Sequence, residues 1–175
     1  MITTTKYNQT TISKKVTLDG VGLHTGKDVT LTFNPSEANT GYVFKRIDLK
    51  DMPLVEADIN YVSNTERGTC LNKNNVIIQT CEHVLASLVG LEIDNVLIEL
   101  NASEPPIMDG SSKFFVEALE KAGIKELDEK RKEFIVKNVI SFKDENTGSE
   151  ITIIPSKEYQ VTTMVDFGTK ILGTQ

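Results

Sequence analysis

The chain has 175 residues, 39% of them apolar, with 25 acidic against 19 basic side chains and a formal charge of −6. That size and apolar fraction suit one or two small domains with a real core, and the negative balance argues against a nucleic-acid surface. Residues 1–11 are polar, with no apolar stretch of signal-peptide length, and no run approaches the length of a membrane span. Cys70 and Cys81 lack paired spacing and read as free thiols of a reducing cytoplasm.

In chain order, residues 10–18 are rich in β-branched side chains and predict a strand. Asp19-Gly20-Val21-Gly22-Leu23-His24-Thr25-Gly26 follows as a glycine-punctuated turn, its glycines expected at positive-φ positions. A phosphate-loop reading fails there, because the next pattern is a strand and offers no helix N-terminus. His24 reads either as a pocket residue or as a plain loop residue. Val29, Leu31 and Phe33 alternate with Thr30, Thr32 and Asn34, the period of a half-buried strand that Pro35-Ser36 closes. Residues 41–47 predict another strand, and residues 48–64, broken at Asp51-Met52-Pro53, an irregular edge. Residues 68–72 and 75–78 predict a hairpin turning at Lys73-Asn74.

Gln79-Thr80-Cys81-Glu82-His83-Val84-Leu85-Ala86-Ser87-Leu88-Val89-Gly90 then predicts a short helix, with Thr80 as N-cap and Gly90 just past its end. Cys81, Val84, Leu85 and Leu88 fall on one stripe, so Cys81 reads as core. Glu82 and His83 fall off the stripe in the first turn, where the helix dipole favours an ionised carboxylate and a neutral imidazole. Such a pair can supply a metal ligand and a base, and it is also what an ordinary solvated pair looks like. With only His24 and His83 available, a catalytic zinc site would be short of its usual three protein ligands.

Val96, Ile98 and Leu100 alternate along a further strand. After Pro105-Pro106-Ile107-Met108-Asp109-Gly110, Ser111 or Ser112 caps a second helix carrying Phe114, Phe115, Ala118, Leu119 and Ala122, stopped by Gly123. These elements predict an α+β, two-layer sandwich with both helices packed on one face of a sheet, over residues 1–126. The charged residues 127–131 read as a linker. Strands are predicted over 134–142, 151–154 and 159–167. Glu150-Ile151-Thr152-Ile153 closed by Pro155-Ser156 echoes Asp28-Val29-Thr30-Leu31 closed by Pro35-Ser36. Residues 132–175 therefore read as the opening strands of a second, duplicated but truncated copy with no helix, ending in the middle of a fold. Chance agreement between two short strands is the alternative.

Several of these stretches together resemble a known family. Gly20-Val21-Gly22-Leu23-His24-Thr25-Gly26, Cys81-Glu82-His83-Val84-Leu85-Ala86-Ser87-Leu88, Gly90-Leu91-Glu92-Ile93-Asp94-Asn95 and Pro106-Ile107-Met108-Asp109-Gly110-Ser111 are similar to segments of UDP-3-O-acyl-N-acetylglucosamine deacetylase, a zinc amidase of lipid A biosynthesis. The resemblance runs from about residue 10 to the last residue. It implies two similar α+β domains with an active site between them, Glu82 as general base and His83 as one zinc ligand. It implies that the loop Asn64-Thr65-Glu66-Arg67-Gly68-Thr69 lines the site, bringing Arg67 and Gly68 to the substrate, and that Asp166 and Phe167 contact the uridine. Ser149 stands where the family often has a lysine.

The family's other zinc ligands, a His-x-x-x-Asp pair, its general-acid histidine and its oxyanion-stabilising threonine have no counterpart by residue 175. The resemblance thus points to the N-terminal part of a cytoplasmic zinc deacetylase, inactive as these 175 residues alone. Its partners would be an acylated UDP-N-acetylglucosamine substrate, the missing C-terminal half and a peripheral contact with the inner membrane, but no nucleic acid. Some family members continue into a fused hydroxyacyl-carrier-protein dehydratase domain. Two other readings stand beside this one: a non-catalytic fragment or sugar-nucleotide-binding module, and an unrelated metallohydrolase using His24 and His83 together.

Overall fold

A computed structural model describes residues 2–171, 173 and 174; Met1, Leu172 and Gln175, the last of which closes the chain, lie outside it. The chain runs β1 (Ile2–Ile12), β2 (Val16–Val21), β3 (Asp28–Pro35), β4 (Tyr42–Arg46), β5 (Leu54–Glu56), β6 (Val62–Asn64), β7 (Cys70–Lys73) and β8 (Val76–Ile78). Then follow α1 (Glu82–Gly90), β9 (Val96–Leu100), α2 (Lys113–Ala122), β10 (Ile124–Phe134), β11 (Ile140–Lys143) and β12 (Glu150–Ile153). It divides into two compact units, residues 5–131 and residues 132–175 with residues 1–4. Among the described residues no helix is long and apolar enough to cross a membrane.

The larger unit is α+β. Its centre is a five-stranded sheet in the order β2-β3-β9-β4-β5. All neighbours are antiparallel except β4 and β9, which are parallel. A parallel pair needs a crossover connection, and here that connection carries the three-stranded sheet β6-β7-β8 and then α1. The alternation expected on β3 and β9 puts Val29, Leu31 and Phe33, and Val96, Ile98 and Leu100, in the core, with Leu31 opposite Leu100 and Phe33 opposite Ile98. Both helices bury their stripes in that same core, Val84 and Leu88 from α1, Phe115 and Leu119 from α2. Phe115 meets Phe33 edge-on, ring centroids 6.4 Å apart. Each such fully buried side chain contributes about 1.5–3 kcal/mol.

Several expectations need correction. The single strand over residues 10–18 is two strands, β1 and β2, separated where Ser13 N–H turns to Gly123 O at 2.8 Å. The irregular edge over 48–64 contains β5, a single 3-10 turn at Ile59–Tyr61 and β6. The hairpin turns at Asn74 and Asn75, whose φ values of 52° and 65° suit a type I′ turn. The linker expected over residues 127–131 is the middle of β10, because β1 pairs with it. That pairing satisfies the backbone while most of the charged side chains stay in solvent.

The smaller unit holds the antiparallel hairpin β11-β12, with Ile140 opposite Ile153 and Phe142 opposite Ile151. These side chains are exposed, Phe142 and Ile151 to 66%. The strand expected over 134–142 is interrupted, since β10 ends at Phe134 and β11 begins at Ile140. The strand expected over 159–167 does not form among the described residues. A strand needs a neighbour to take up its backbone groups, and only Asp166 finds one, in an isolated bridge with Thr174.

Candidate functional site

The site is assembled where β8 turns into α1. Gln79 N–H donates to Ser103 O at 2.7 Å, and Thr80 takes a left-handed φ of 48°. Thr80 is not the N-cap that its residue type suggests. Cys81 holds that position without a side-chain cap, while the Thr80 hydroxyl donates to Glu104 Oε1 at 2.9 Å. Gly90 is the last helical residue rather than the one beyond, and Glu92, at φ 54°, makes the left-handed turn. Cys81 is core as expected, and burial, with Glu82 adding to it, pushes its thiol up to about 12.

Glu82 and His83 occupy the first turn of α1, both half-buried. Glu82 Oε2 accepts the Thr69 N–H at 2.9 Å. A Cβ on Gly68 would lie 3.4 Å from Thr80 Oγ1 and 3.5 Å from Glu82 Oε1, and the φ of +156° there favours glycine. The loop therefore lies directly against the carboxylate. The His83 carbonyl accepts the Ser112 hydroxyl at 2.9 Å, tying α1 to the start of α2. No hydrogen bond reaches the His83 imidazole among the described residues.

The β2–β3 turn closes the group from another side. The His24 ring Nε2 is 3.3 Å from Arg67 O. Its backbone N–H donates to Glu104, 3.1 Å from each oxygen, and Thr25 N–H donates to Glu104 Oε2 at 2.9 Å. Glu104 is fully buried. Burial alone would raise its pKa; the Thr25 and His24 N–H groups and the Thr80 hydroxyl outweigh that and hold it below the ordinary glutamate value. Gly20 and Gly22 are not at positive φ, contrary to expectation; of the glycines in this turn only Gly26 is. They are needed for space. A Cβ on Gly20 would meet Pro106 Cβ at 2.8 Å, and one on Gly22 would meet Glu104 Oε2 at 2.7 Å.

The fold thus brings Glu82, His83, Arg67, Gly68 and His24 together within the larger unit. Asp166 and Phe167 belong to the other unit, where Asp166 Oδ1 accepts Gly168 N–H at 2.8 Å and Phe167 is 48% exposed. Glu104 is a contact that sequence reading does not single out; Thr69 enters that reading only as part of the lining loop, and Ser112 only as a helix cap. The one signal for Glu104 is its place, an acid between a buried strand and two prolines.

Among the described residues no three His, Cys, Asp or Glu side chains are grouped so as to hold a metal ion. His83 offers one donor, and among the described residues the further donors that a zinc centre needs are not grouped with it. What the group offers chemically is a carboxylate able to take a proton, beside an imidazole open to a cation or a substrate. A carboxylate and an imidazole at one helix start suit general acid–base or metal-assisted chemistry.

Comparison with known proteins narrows that class. The model of the LpxC family, UDP-3-O-acyl N-acetylglycosamine deacetylase, matches residues 9–175, and the chain belongs to this family. It is 43% identical over 168 residues to the bifunctional enzyme LpxC/FabZ of Chlorobaculum tepidum, covering 96% of this chain and 36% of that protein. It is 40% identical over 167 residues to the UDP-3-O-acyl-N-acetylglucosamine deacetylase of Geobacter sp. strain M21, covering 95% of this chain and 54% of that protein. The chain therefore spans about a third to a half of the length of these relatives.

Proposed function

We propose that the complete protein hydrolyses the acetamide of UDP-3-O-acyl-N-acetylglucosamine, and that residues 1–175 contribute its general base and one metal ligand. The observation that carries this is the family match over residues 9–175, with Glu82 and His83 at the head of α1 and Glu82 backed by the Thr69 N–H. In this reading Glu82 removes a proton from water as the water oxygen bonds to the acetamide carbon. The C–N bond then breaks, acetate leaves, and the amine takes up a proton from an acid outside these residues. His83 would be one ligand of a zinc ion, which when bound would make the water easier to deprotonate. A single imidazole makes no site, so the remaining donors lie beyond residue 175, and residues 1–175 alone bind zinc weakly and do not turn over.

Arg67 and Gly68 line the site, His24 forms part of its pocket, and Asp166 and Phe167 hold the uridine. Residues 132–175 begin a second domain that duplicates the first. The hairpins β2-β3 and β11-β12 support this, since both are antiparallel and a Pro-Ser pair stands at the end of β3 and again shortly after β12. The reaction takes place in the cytoplasm, with peripheral contact at the inner membrane, as part of lipid A biosynthesis. The bifunctional name of the Chlorobaculum relative extends to this protein the expectation of a further fused domain, a dehydratase. Turnover of the complete protein and of its Glu82→Gln variant, each with metal content measured, tests the reading. A metal-loaded Glu82→Gln enzyme with undiminished kcat would show that Glu82 is not the base.

A further inference from the structure

We infer that Glu104 is a positioning residue of this site, a buried carboxylate that fixes where Glu82 and His24 stand. The inference rests on the reading of Glu82 as base. Glu104 is fully buried, and no cation pairs with it among the described residues. Its partners are neutral donors on two separate segments, the N–H groups of His24 and Thr25 and the hydroxyl of Thr80. A carboxylate is a pure acceptor, so one group can gather several donors that would otherwise have no common partner.

The donors gathered are those that set the site's geometry. Thr80 lies two residues before Glu82. Its φ of 48° is a conformation that a β-branched side chain avoids, so something outside the residue must hold it there. The Glu104 contact does so, helped by the neighbouring bond from Gln79 N–H to Ser103 O. Release of Thr80 would let the head of α1 relax and carry Glu82 away from Thr69 N–H. At the same carboxylate, the His24 and Thr25 amides fix the β2–β3 turn, and through it the His24 ring against Arg67 O. Both walls of the site therefore hang on one side chain that does not reach its interior. Gly22 completes the arrangement, since any larger residue would displace Glu104 Oε2.

The test uses the complete, metal-loaded protein. Glu104→Gln keeps shape but turns an N–H₂ toward donors. It should lower kcat at least about tenfold because Glu82 is displaced, and raise KM severalfold because the His24 and Arg67 wall moves with it. Thr80→Val should reproduce that loss and Thr80→Ser should spare it. Amide exchange at residues 22–25 and 80–82 should quicken in Glu104→Gln and Thr80→Val, and stay unchanged in α2. A folded Glu104→Gln enzyme with wild-type kcat overturns the inference. So does full activity per folded molecule well below its Tm, which would make Glu104 a stability residue only. If Glu104→Gln does not fold, Thr80→Val decides, and unchanged kcat there overturns the inference. Glu82→Gln is run alongside. Turnover kept in Glu82→Gln overturns the base reading and this inference with it; turnover lost in Glu82→Gln but kept in Glu104→Gln overturns this inference alone.

Discussion

Replacing Gly22 by alanine probes the buried carboxylate most directly. The added Cβ would stand 2.3 Å from Thr25 Oγ1 and 2.7 Å from Glu104 Oε2. The threonine hydroxyl can rotate away. The carboxylate cannot, because it is fully buried and held by donors at 2.9–3.1 Å. Overpacking of this kind costs about 1–3 kcal/mol, and giving up one hydrogen bond to a charged group costs about 1.5–3 kcal/mol. The two losses overlap, since yielding one bond relieves part of the clash, so we expect about 3 kcal/mol in all. For a unit of this size that is a fall in Tm of roughly 10 °C. Gly26→Ala is the control. Its φ is +62° with nothing within 4 Å, so it should cost only about 1 kcal/mol of left-handed strain. The assay is urea unfolding of the 175-residue chain, read by far-ultraviolet circular dichroism and by tyrosine fluorescence, the chain having no tryptophan. If Gly22→Ala loses no more stability than Gly26→Ala, the carboxylate is not pinned as described.

In the complete protein, Glu82→Gln should lower kcat by about 10²–10⁴-fold with metal retained, while His83→Ala should lose metal; elemental analysis and acetate release read the two. Phe167 is 48% exposed, so Phe167→Ala should change stability by less than about 0.5 kcal/mol. It should weaken uridine diphosphate binding about fivefold or more if the ring stacks on uracil; calorimetry that shows unchanged affinity returns it to a plain surface role. Among the carboxylates held below their ordinary values are Asp48, by hydrogen bonding to Arg46, and Glu104, because its donors outweigh its burial. The stability they contribute is present above about pH 4 and is lost as pH falls through their lower folded values; urea midpoints between about pH 6 and 2.5 should show that loss, reduced in Glu104→Gln. The 175-residue chain alone should release no acetate and should self-associate through Phe142 and Ile151, so Phe142→Lys with Ile151→Lys should lower its mass in sedimentation.

Much of the larger unit is legible in its sequence because its signals are local. Val29, Leu31 and Phe33 alternate and are buried as that period requires; of the apolar set read for α2, Phe115, Ala118, Leu119 and Ala122 are buried, while Phe114 falls off their stripe and is 39% exposed. What escapes the sequence is decided by partners far along the chain. Residues 127–131 carry the composition of a linker, yet β1, more than a hundred residues earlier, supplies the neighbour that makes them a strand. Thr80 has the residue type of an N-cap, but Glu104 claims its hydroxyl from 24 residues away. Glu82 and His83 stand out as a dipeptide at a helix start. Nothing local to Thr69 or Glu104 announces that one donates to the base and the other gathers the turn.

The two glycine-bearing motifs carry the same lesson one step further. Gly20 and Gly22 look like turn glycines chosen for φ, but both lie in ordinary backbone, with Gly20 opposite Val29 in the sheet. Their missing side chains make room for the segment Glu104 to Met108, which lies against the end of β2, and Ile107 N–H donates to Val21 O at 2.9 Å. The stretch around Gly22 and the stretch around Pro106, more than eighty residues apart, are therefore one structural element. Neither can be read correctly alone, since the first leaves the space and the second fills it with the buried carboxylate. Placing Thr80 on that carboxylate brings the head of α1 into the same unit of packing. Three separate motifs thus meet at a single side chain.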